Sequence, residues 1–302
     1  MNASDVSVVI PTYGREEILL QTLEDVFAQQ PGAGEVLVVD QTLAHTAPTE
    51  ATLASWAGEH RIQWIRMEKP SQPAALNLGL MNSGKKVVLF LDDDIRIAPD
   101  FVACHAAAYS DPEVAGVAGR VLQPEGPSGR KPSGGGRWSF PDLDFPFDHD
   151  EPAWIRNGMS GNLSVRRDRA MEVGGFDEQF RPPVAYRFDS EFCARLTKAG
   201  GRLRFEPSAC IHHLRAGSGG TRSRGSHLTS ASPVHGVGDY YFALCQGLDF
   251  RAWYYVIRRP FREIATRFHL RHPWWIPVKL AGEVRALGWA LRLWFQGPKR
   301  LS

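Results

Sequence analysis

Residues 87–91, Val-Val-Leu-Phe-Leu, are apolar at every position and run directly into Asp92, Asp93 and Asp94. A strand with one face in water alternates apolar and polar side chains. One that is apolar throughout is buried on both faces, as in a parallel sheet covered by helices on each side. The first half of the chain keeps this rhythm. Residues 6–10, 35–39 and 61–67 read as further strands. Residues 16–29 carry Ile18, Leu19, Leu23, Val26 and Phe27 at helical spacing, and 73–81 and 101–110 read as helices, with Pro73 tolerated in a first turn. The pattern predicts an α/β fold with a mixed, largely parallel sheet flanked by helices. Ligands of such sheets bind beyond the carboxyl ends of the strands. Two of those ends are polar here: Pro11-Thr12-Tyr13-Gly14-Arg15 and the acidic triplet.

The rhythm breaks at 123–137, which holds five Gly and three Pro and reads as an exposed connection. Order resumes over 154–166, then a helix near 167–173, a helix over 188–199 and a short strand at 202–205. A second segment rich in Gly, Ser and Arg covers 216–232; it reads either as a loop that closes over a ligand or as a solvated linker. Helical patterns return at 237–248, 250–268 and 277–295. These boundaries divide the chain into a domain at 1–235, with a first part at 1–122 and a second at 137–235, and a helical extension at 236–302.

Charge is distributed unevenly. Residues 1–250 hold 24 Lys or Arg against 31 Asp or Glu, whereas 251–300 hold 11 against 2. The basic segment also carries Trp253, Tyr254, Tyr255, Trp274, Trp275, Trp289 and Trp294. Basic residues mixed with aromatic ones suit an anionic membrane surface better than nucleic acid, so no nucleic-acid partner is expected. Packing against the rest of the chain and assembly into a homo-oligomer remain open for the same helices. No run reaches the roughly 18 apolar residues of a membrane span, and 6–10 follow the N-terminus without a leader. The four widely spaced cysteines read as reduced thiols. The expectation is a cytoplasmic protein, at most peripheral to the membrane.

Three adjacent carboxylates repel one another and call for a cation, hydrogen bonds or solvent. Extended backbone points Asp92 and Asp94 one way and Asp93 the other. Mg2+ or Mn2+ takes such oxygen ligands and leaves positions open for phosphate oxygens. An acidic turn without metal is the plain alternative.

The chain resembles the GT-A-fold glycosyltransferases of family 2. The resemblance is carried by Val8-Val9-Ile10-Pro11-Thr12-Tyr13, Val38-Val39-Asp40, Ala74-Ala75-Leu76-Asn77-Leu78-Gly79 and the acidic triplet. It continues through Ser160-Gly161-Asn162-Leu163-Ser164-Val165-Arg166-Arg167, Gly174-Gly175-Phe176-Asp177-Glu178, Asp189-Ser190-Glu191 and the stretch 206–213. It implies a GT-A-like fold with the helical extension appended. It further implies that Pro11, Thr12, Tyr13 and Arg15 border a nucleotide, that Asp40 recognises base or ribose, and that Asn77 lies in the donor site, with Leu76 where the family has Arg. Asp92 would contact donor sugar or ribose, with Asp93 beside it in the donor site but turned from the ion. Asp94 would be the principal ligand of Mg2+ or Mn2+, joined by His212. Asp189 would be the catalytic base, with Glu191 as second candidate and Phe188 in place of the family's paired Glu. Trp154, Asn157, Gly161 and Asn162 would border the acceptor, and Arg215, Arg222 and Arg224 would meet the diphosphate or solvent.

The reaction implied is inverting transfer of a sugar from a nucleoside diphosphate sugar, UDP-linked by expectation, to a hydroxyl of a saccharide or lipid-linked acceptor. The rival readings are a non-catalytic glycan-binding or scaffold protein with the same fold, and a nucleotidyltransferase. The second is poorly served by the loop 11–15, which lacks the Gly-rich, basic character of a phosphate loop.

Overall fold

The computed structural model describes residues 1–302 except 133–139, 141, 183, 185, 218, 220–225 and 248. Arg222 and Arg224 therefore lie outside the described residues. The chain opens with β1 (Val6–Thr12), α1 (Glu17–Phe27), β2 (Glu35–Asp40), α2 (Ala47–Gly58), β3 (Gln63–Arg66), α3 (Gln72–Asn82) and β4 (Val87–Leu91). β1 pairs in parallel with both β2 and β4, and β2 with β3. The second half of the sheet comes from β5 (Ile95–Ile97), β6 (Val114–Leu122), β7 (Ala153–Ile155), β8 (Asn162–Arg166) and β9 (Arg202–His213), with α4 (Phe101–Ala108), α5 (Arg167–Glu172) and α6 (Phe188–Lys198) between them. The strand order is β3-β2-β1-β4-β8-β6-β9-β5, with β7 also on β9. β8 lies antiparallel between β4 and β6, so a parallel first half continues into a mixed second half.

Alternation along the strands divides the core. Val9, Leu37, Val39, Val88 and Phe90 face one side, packed on α3 and α6. Val8, Ile10, Val38, Leu89 and Leu91 face the other, packed on α1, α2 and α4. Four helices complete the chain: α7 (Val237–Cys245), α8 (Phe250–Ile264), α9 (Arg267–Arg271) and α10 (Ile276–Gln296). Val237, Tyr240, Tyr241, Ala252, Val256, Ala286, Ala290 and Leu293 from these helices join the first of the two core layers.

The sequence reading named no element at α2, β5 or β6, and two that it did name have other bounds. The strand expected at 202–205 runs on through Pro207 to His213. Pro207 is tolerated because the register against β6 jumps from Gly119↔Glu206 to Arg120↔Cys210, leaving 207–209 outside the ladder where no N–H is needed. The helix expected over 250–268 ends at Ile264, and the Thr266 hydroxyl accepts from the His269 amide to start α9.

Candidate active site

Parallel pairing of β1 and β4 brings their carboxyl ends out on the same edge of the sheet. Pro11 and Tyr13 leave one strand, and Asp92–Asp94 leave the other. β9 ends beside them at His213, whose partner in β5 is Ile95. The start of α6 supplies Arg187, Phe188 and Asp189, and the turn before β8 supplies Met159, Ser160 and Gly161. These residues, with Arg15, Gln72 and Tyr186, enclose a cleft of about 410 Å3.

The triplet divides its carboxylates as extended backbone requires. Asp93 turns back into the protein, where Thr12 Oγ1 donates to it at 2.7 Å and Arg15 Nε at 3.2 Å. Burial pushes its carboxyl up to about 6 against the pull of Thr12 and Arg15, and the neighbouring acids add to the rise. Asp94 faces the cleft wall: its Oδ2 accepts from Arg15 Nη2 at 3.0 Å and from the Ala216 amide at 2.9 Å. His213 Nε2 lies 3.2 Å from Asp94 Oδ1 and 4.0 Å from Asp92 Oδ2. Burial raises the Asp94 carboxyl, but the hydrogen bond and charge of His213, the Ala216 amide and Arg15 outweigh it and leave it below the usual carboxylate range.

Ligand atoms of Asp92, Asp94 and His213 all lie within 4.8 Å of one another. Two carboxylates and an imidazole form a donor set for a divalent ion of intermediate hardness such as Mn2+, and Mg2+ is served by the oxygens alone. Gly161 leaves the space for Asp92: its carbonyl accepts the Asp92 amide at 3.2 Å, and a Cβ there would fall 2.2 Å from Asp92 Oδ2.

Asp189 stands on the other wall. Burial raises its carboxyl above the ordinary range, against the Ser190 amide, the Arg187 charge and the Ser160 amide. The Ser190 amide donates to Oδ1 at 2.8 Å. Arg187, next to it, adopts a left-handed backbone with φ of 75°, an uncommon conformation for a non-glycine residue. Asp239 of α7 holds that geometry. Its Oδ1 accepts from Arg187 Nε at 2.8 Å, while Oδ2 lies 2.6 Å from Arg259 Nη1 of α8 and accepts from Tyr186 Oη at 3.1 Å.

The structure brings Pro11, Tyr13, Arg15, Asp92, Asp93, Asp94, Gly161 and Asp189 to one cleft. Thr12 backs the cleft through Asp93. Several expectations are corrected. His212 is exposed on the far side of β9, because adjacent strand residues point oppositely, and it is His213 that meets Asp94. Glu191 is buried in α6 between Arg195 and Arg300, with both oxygens committed, and does not reach the cleft. Asn77 is fully buried and serves the backbone: it accepts from the Phe176 amide at 2.7 Å and donates to the Phe176 carbonyl and to Glu178.

Asp40 is enclosed away from the cleft lining, with His45, Trp64 and the Thr42 amide on its oxygens. Asn162 pins three strands together through His105 and the carbonyls of Arg120 and Ala209. Trp154 lies on the β7 edge under the Arg202 guanidinium, 3.6 Å from its ring centre, lining a separate hollow, and Asn157 lines another. Arg215 pairs with Glu125 and Gln123.

Sequence reasoning missed His213 and Arg187. The first was adjacent to the residue chosen, and the parity of the strand would have selected it once the strand's full length was known. The second carries no local signal, since its position depends on Asp239, 52 residues away.

The sequence model of the family described as Glycosyl transferase family 2 matches residues 7–174. The Pre-mycofactocin glycosyltransferase of Mycobacterium tuberculosis is 28% identical over 215 residues, covering 69% of this chain and 42% of that protein. The chain thus spans less than half the length of that relative. Among solved structures, a mannosyltransferase from Pyrobaculum calidifontis in complex with GDP-Man and Mn2+ superposes with a TM-score of 0.55 at 20% identity, over 97% of this chain and 79% of that one. TarS 1-349 of S. aureus superposes with a TM-score of 0.61 at 14% identity, over 95% and 81%. Both likenesses are of fold.

Proposed function

Because the chain belongs to glycosyl transferase family 2, we propose that it transfers a sugar from a nucleoside diphosphate sugar to an acceptor hydroxyl, with inversion at the anomeric carbon. The observation that carries this reading is the cleft itself, with Asp92, Asp94 and His213 on one wall and Asp189 on the other. Asp92, Asp94 and His213 would hold a divalent ion, Mn2+ or Mg2+. Such an ion supplies positive charge for the diphosphate as it departs. The solved mannosyltransferase with GDP-Man and Mn2+ supports that assignment by analogy of fold.

The remaining chemistry belongs to the chain. Asp189 accepts the proton of the acceptor hydroxyl as that oxygen attacks the anomeric carbon. The bond from that carbon to the diphosphate breaks as the new one forms, and its electron pair leaves with the nucleoside diphosphate. A single in-line displacement of this kind inverts the configuration. Arg187, which lines the cleft with its Nε on Asp239, would offset charge on the diphosphate. Asp93 and Thr12 keep Arg15 beside Asp94 and take no part in the chemistry. The acceptor is a saccharide or a lipid-linked saccharide.

A donor screen tests the reading. UDP-sugars and, in a second arm, GDP-sugars are offered to the protein with Mn2+, with Mg2+ and with EDTA, and binding and slow donor hydrolysis are followed. At least one donor should bind in a metal-dependent manner, and Asp94→Asn should abolish that binding. If the folded protein binds no nucleoside diphosphate sugar, the non-catalytic alternative takes its place. With a donor in hand, Asp189→Asn should lower turnover about a thousandfold or more while donor affinity stays within about threefold, in keeping with the typical weight of a general base. Turnover close to that of the unmodified protein would move the base elsewhere.

A further inference from the structure

α8 is built inside out. Its buried side carries Ala252, Val256 and the charged Arg259, whereas Phe250, Trp253, Ile257 and Phe261 are 45–65% exposed. Successive gaps of three, four and four residues put those four on one helical face. Arg259 is buried in pairs with Asp239 and Glu283, while the apolar side of the same helix faces outward. A contiguous aromatic and aliphatic stripe of this kind marks a contact surface.

The charge around the stripe identifies the contact. Arg258 and Arg262 are exposed on its flank, and with Tyr254 and Tyr255 they line a notch of about 220 Å3 in which Asp144 is the one carboxylate among the described lining residues. Over 251–300 the acids are Glu263 and Glu283; Arg259 and Lys279 engage both, and Arg262 also reaches Glu263 at 3.1 Å while staying exposed. What this segment presents outward is therefore cationic: Arg258, Arg262, Arg267, Arg271, Arg285 and Arg292 are all exposed.

We propose that the outer face of α8 docks on an anionic phospholipid bilayer, with Phe250, Trp253, Ile257 and Phe261 at the headgroup boundary and Arg258 and Arg262 against lipid phosphates. Aromatic rings favour that boundary, and exposed cations are drawn to the surface of an anionic leaflet. A second copy of the chain is a poorer occupant, since two such faces would bring arginines against arginines. α8 lies along the surface, and no helix among the described residues is long and apolar enough to cross a membrane. The inference does not depend on the sugar-transfer reading.

Co-sedimentation of the full chain with vesicles tests it. One set is pure phosphatidylcholine and the other contains phosphatidylglycerol at three parts in ten. The protein should partition at least tenfold more strongly to the anionic set at about 0.1 M salt and lose most of that preference at about 0.5 M. The double variant Ile257→Glu/Phe261→Glu should bind at least tenfold more weakly, with an unchanged far-ultraviolet spectrum and thermal midpoint. Should that variant misfold, quenching of Trp253 emission by brominated lipid, measured as the difference between the parent chain and Trp253→Tyr, reads the same contact. Equal partitioning to both vesicle sets, absence of binding, or no Trp253-dependent quenching overturns the proposal. So does a dimer in solution that Ile257→Glu/Phe261→Glu converts to monomer, which would assign the face to a second copy.

Discussion

Asp189, the proposed base, can accept a proton only when ionised, and its environment makes ionisation harder. Burial raises its carboxyl above the ordinary range, so it is competent only at pH values above that raised point. The acid limb of kcat/KM should accordingly lie above pH 4, the usual range of an aspartate, and rate profiles between pH 4 and 8 check this. A limb at or below pH 4 would remove Asp189 from the role. His105 gives a second pH effect, on stability. It is wholly buried between Ser164 and Asn162, and burial lowers its pKa to about 4, although the Asn162 hydrogen bond opposes the shift. The unfolded chain binds that proton near pH 6.5, so stability is complete above 6.5 and falls as pH drops towards 4, by roughly 3 kcal/mol in all. Between pH 7 and pH 5 the urea midpoint of the parent should fall relative to that of His105→Gln, a difference that cancels the opposite contribution of Asp93, whose raised carboxyl takes up its proton in the same window. The acids were the legible part of the site, because three carboxylates after a buried strand need an explanation even in isolation. Asn77, Asn162 and Glu191 show the limit of such reading. A polar side chain that satisfies buried backbone, or a second charge, looks in sequence like one that meets a ligand.

At the scale of elements, β1, β2 and β4 were plain, since each is a short run of apolar residues buried on both faces. α2 was not, because its Ala- and Thr-rich sequence buries only Thr49 and Leu53 and so carries little periodicity. β9 ended at Phe205 in the sequence reading, whereas it runs on to His213, the residue beside Asp94. The junction that lets it continue depends on close approach at Gly119, where a Cβ would fall 2.1 Å from the Ala209 carbonyl and 2.3 Å from Asn162 Nδ2. Gly119→Ala should therefore force β6 from β9 at a cost of about 2 kcal/mol or more, measured by chemical unfolding. Because His213 rides on the same strand, metal affinity should fall alongside stability. A variant as stable as the parent would show that the bulge yields without strain.

Over the whole molecule, the last residues return to the middle of the chain. The Lys299 amide donates to Asp177 at 2.8 Å, its carbonyl accepts the Glu178 amide at 2.8 Å, and Arg300 meets buried Glu191 at 3.1 Å. Ending the chain at Gln296 removes these contacts and leaves Glu191 with Arg195 alone. The thermal midpoint should drop by about 5 °C or more, given roughly 2–4 °C per kcal/mol for a chain of this size. An unchanged midpoint would make the tail dispensable. The basic, aromatic character of this end was legible from composition. Which of its charges are buried was not, since that depends on Asp239, Glu263 and Glu283 meeting their partners in three dimensions. The same arrangement has a further consequence. Arg259 and Arg187 grip opposite oxygens of one carboxylate, so the helix that faces outward and the wall of the cleft share a single anchor. Whatever factor a surface bound at α8 imposes on donor affinity, a bound donor must impose on surface affinity. Titrating vesicles with and without donor, and donor with and without vesicles, should therefore return the same factor twice, and a factor of one would mean that the shared carboxylate carries nothing between the two faces.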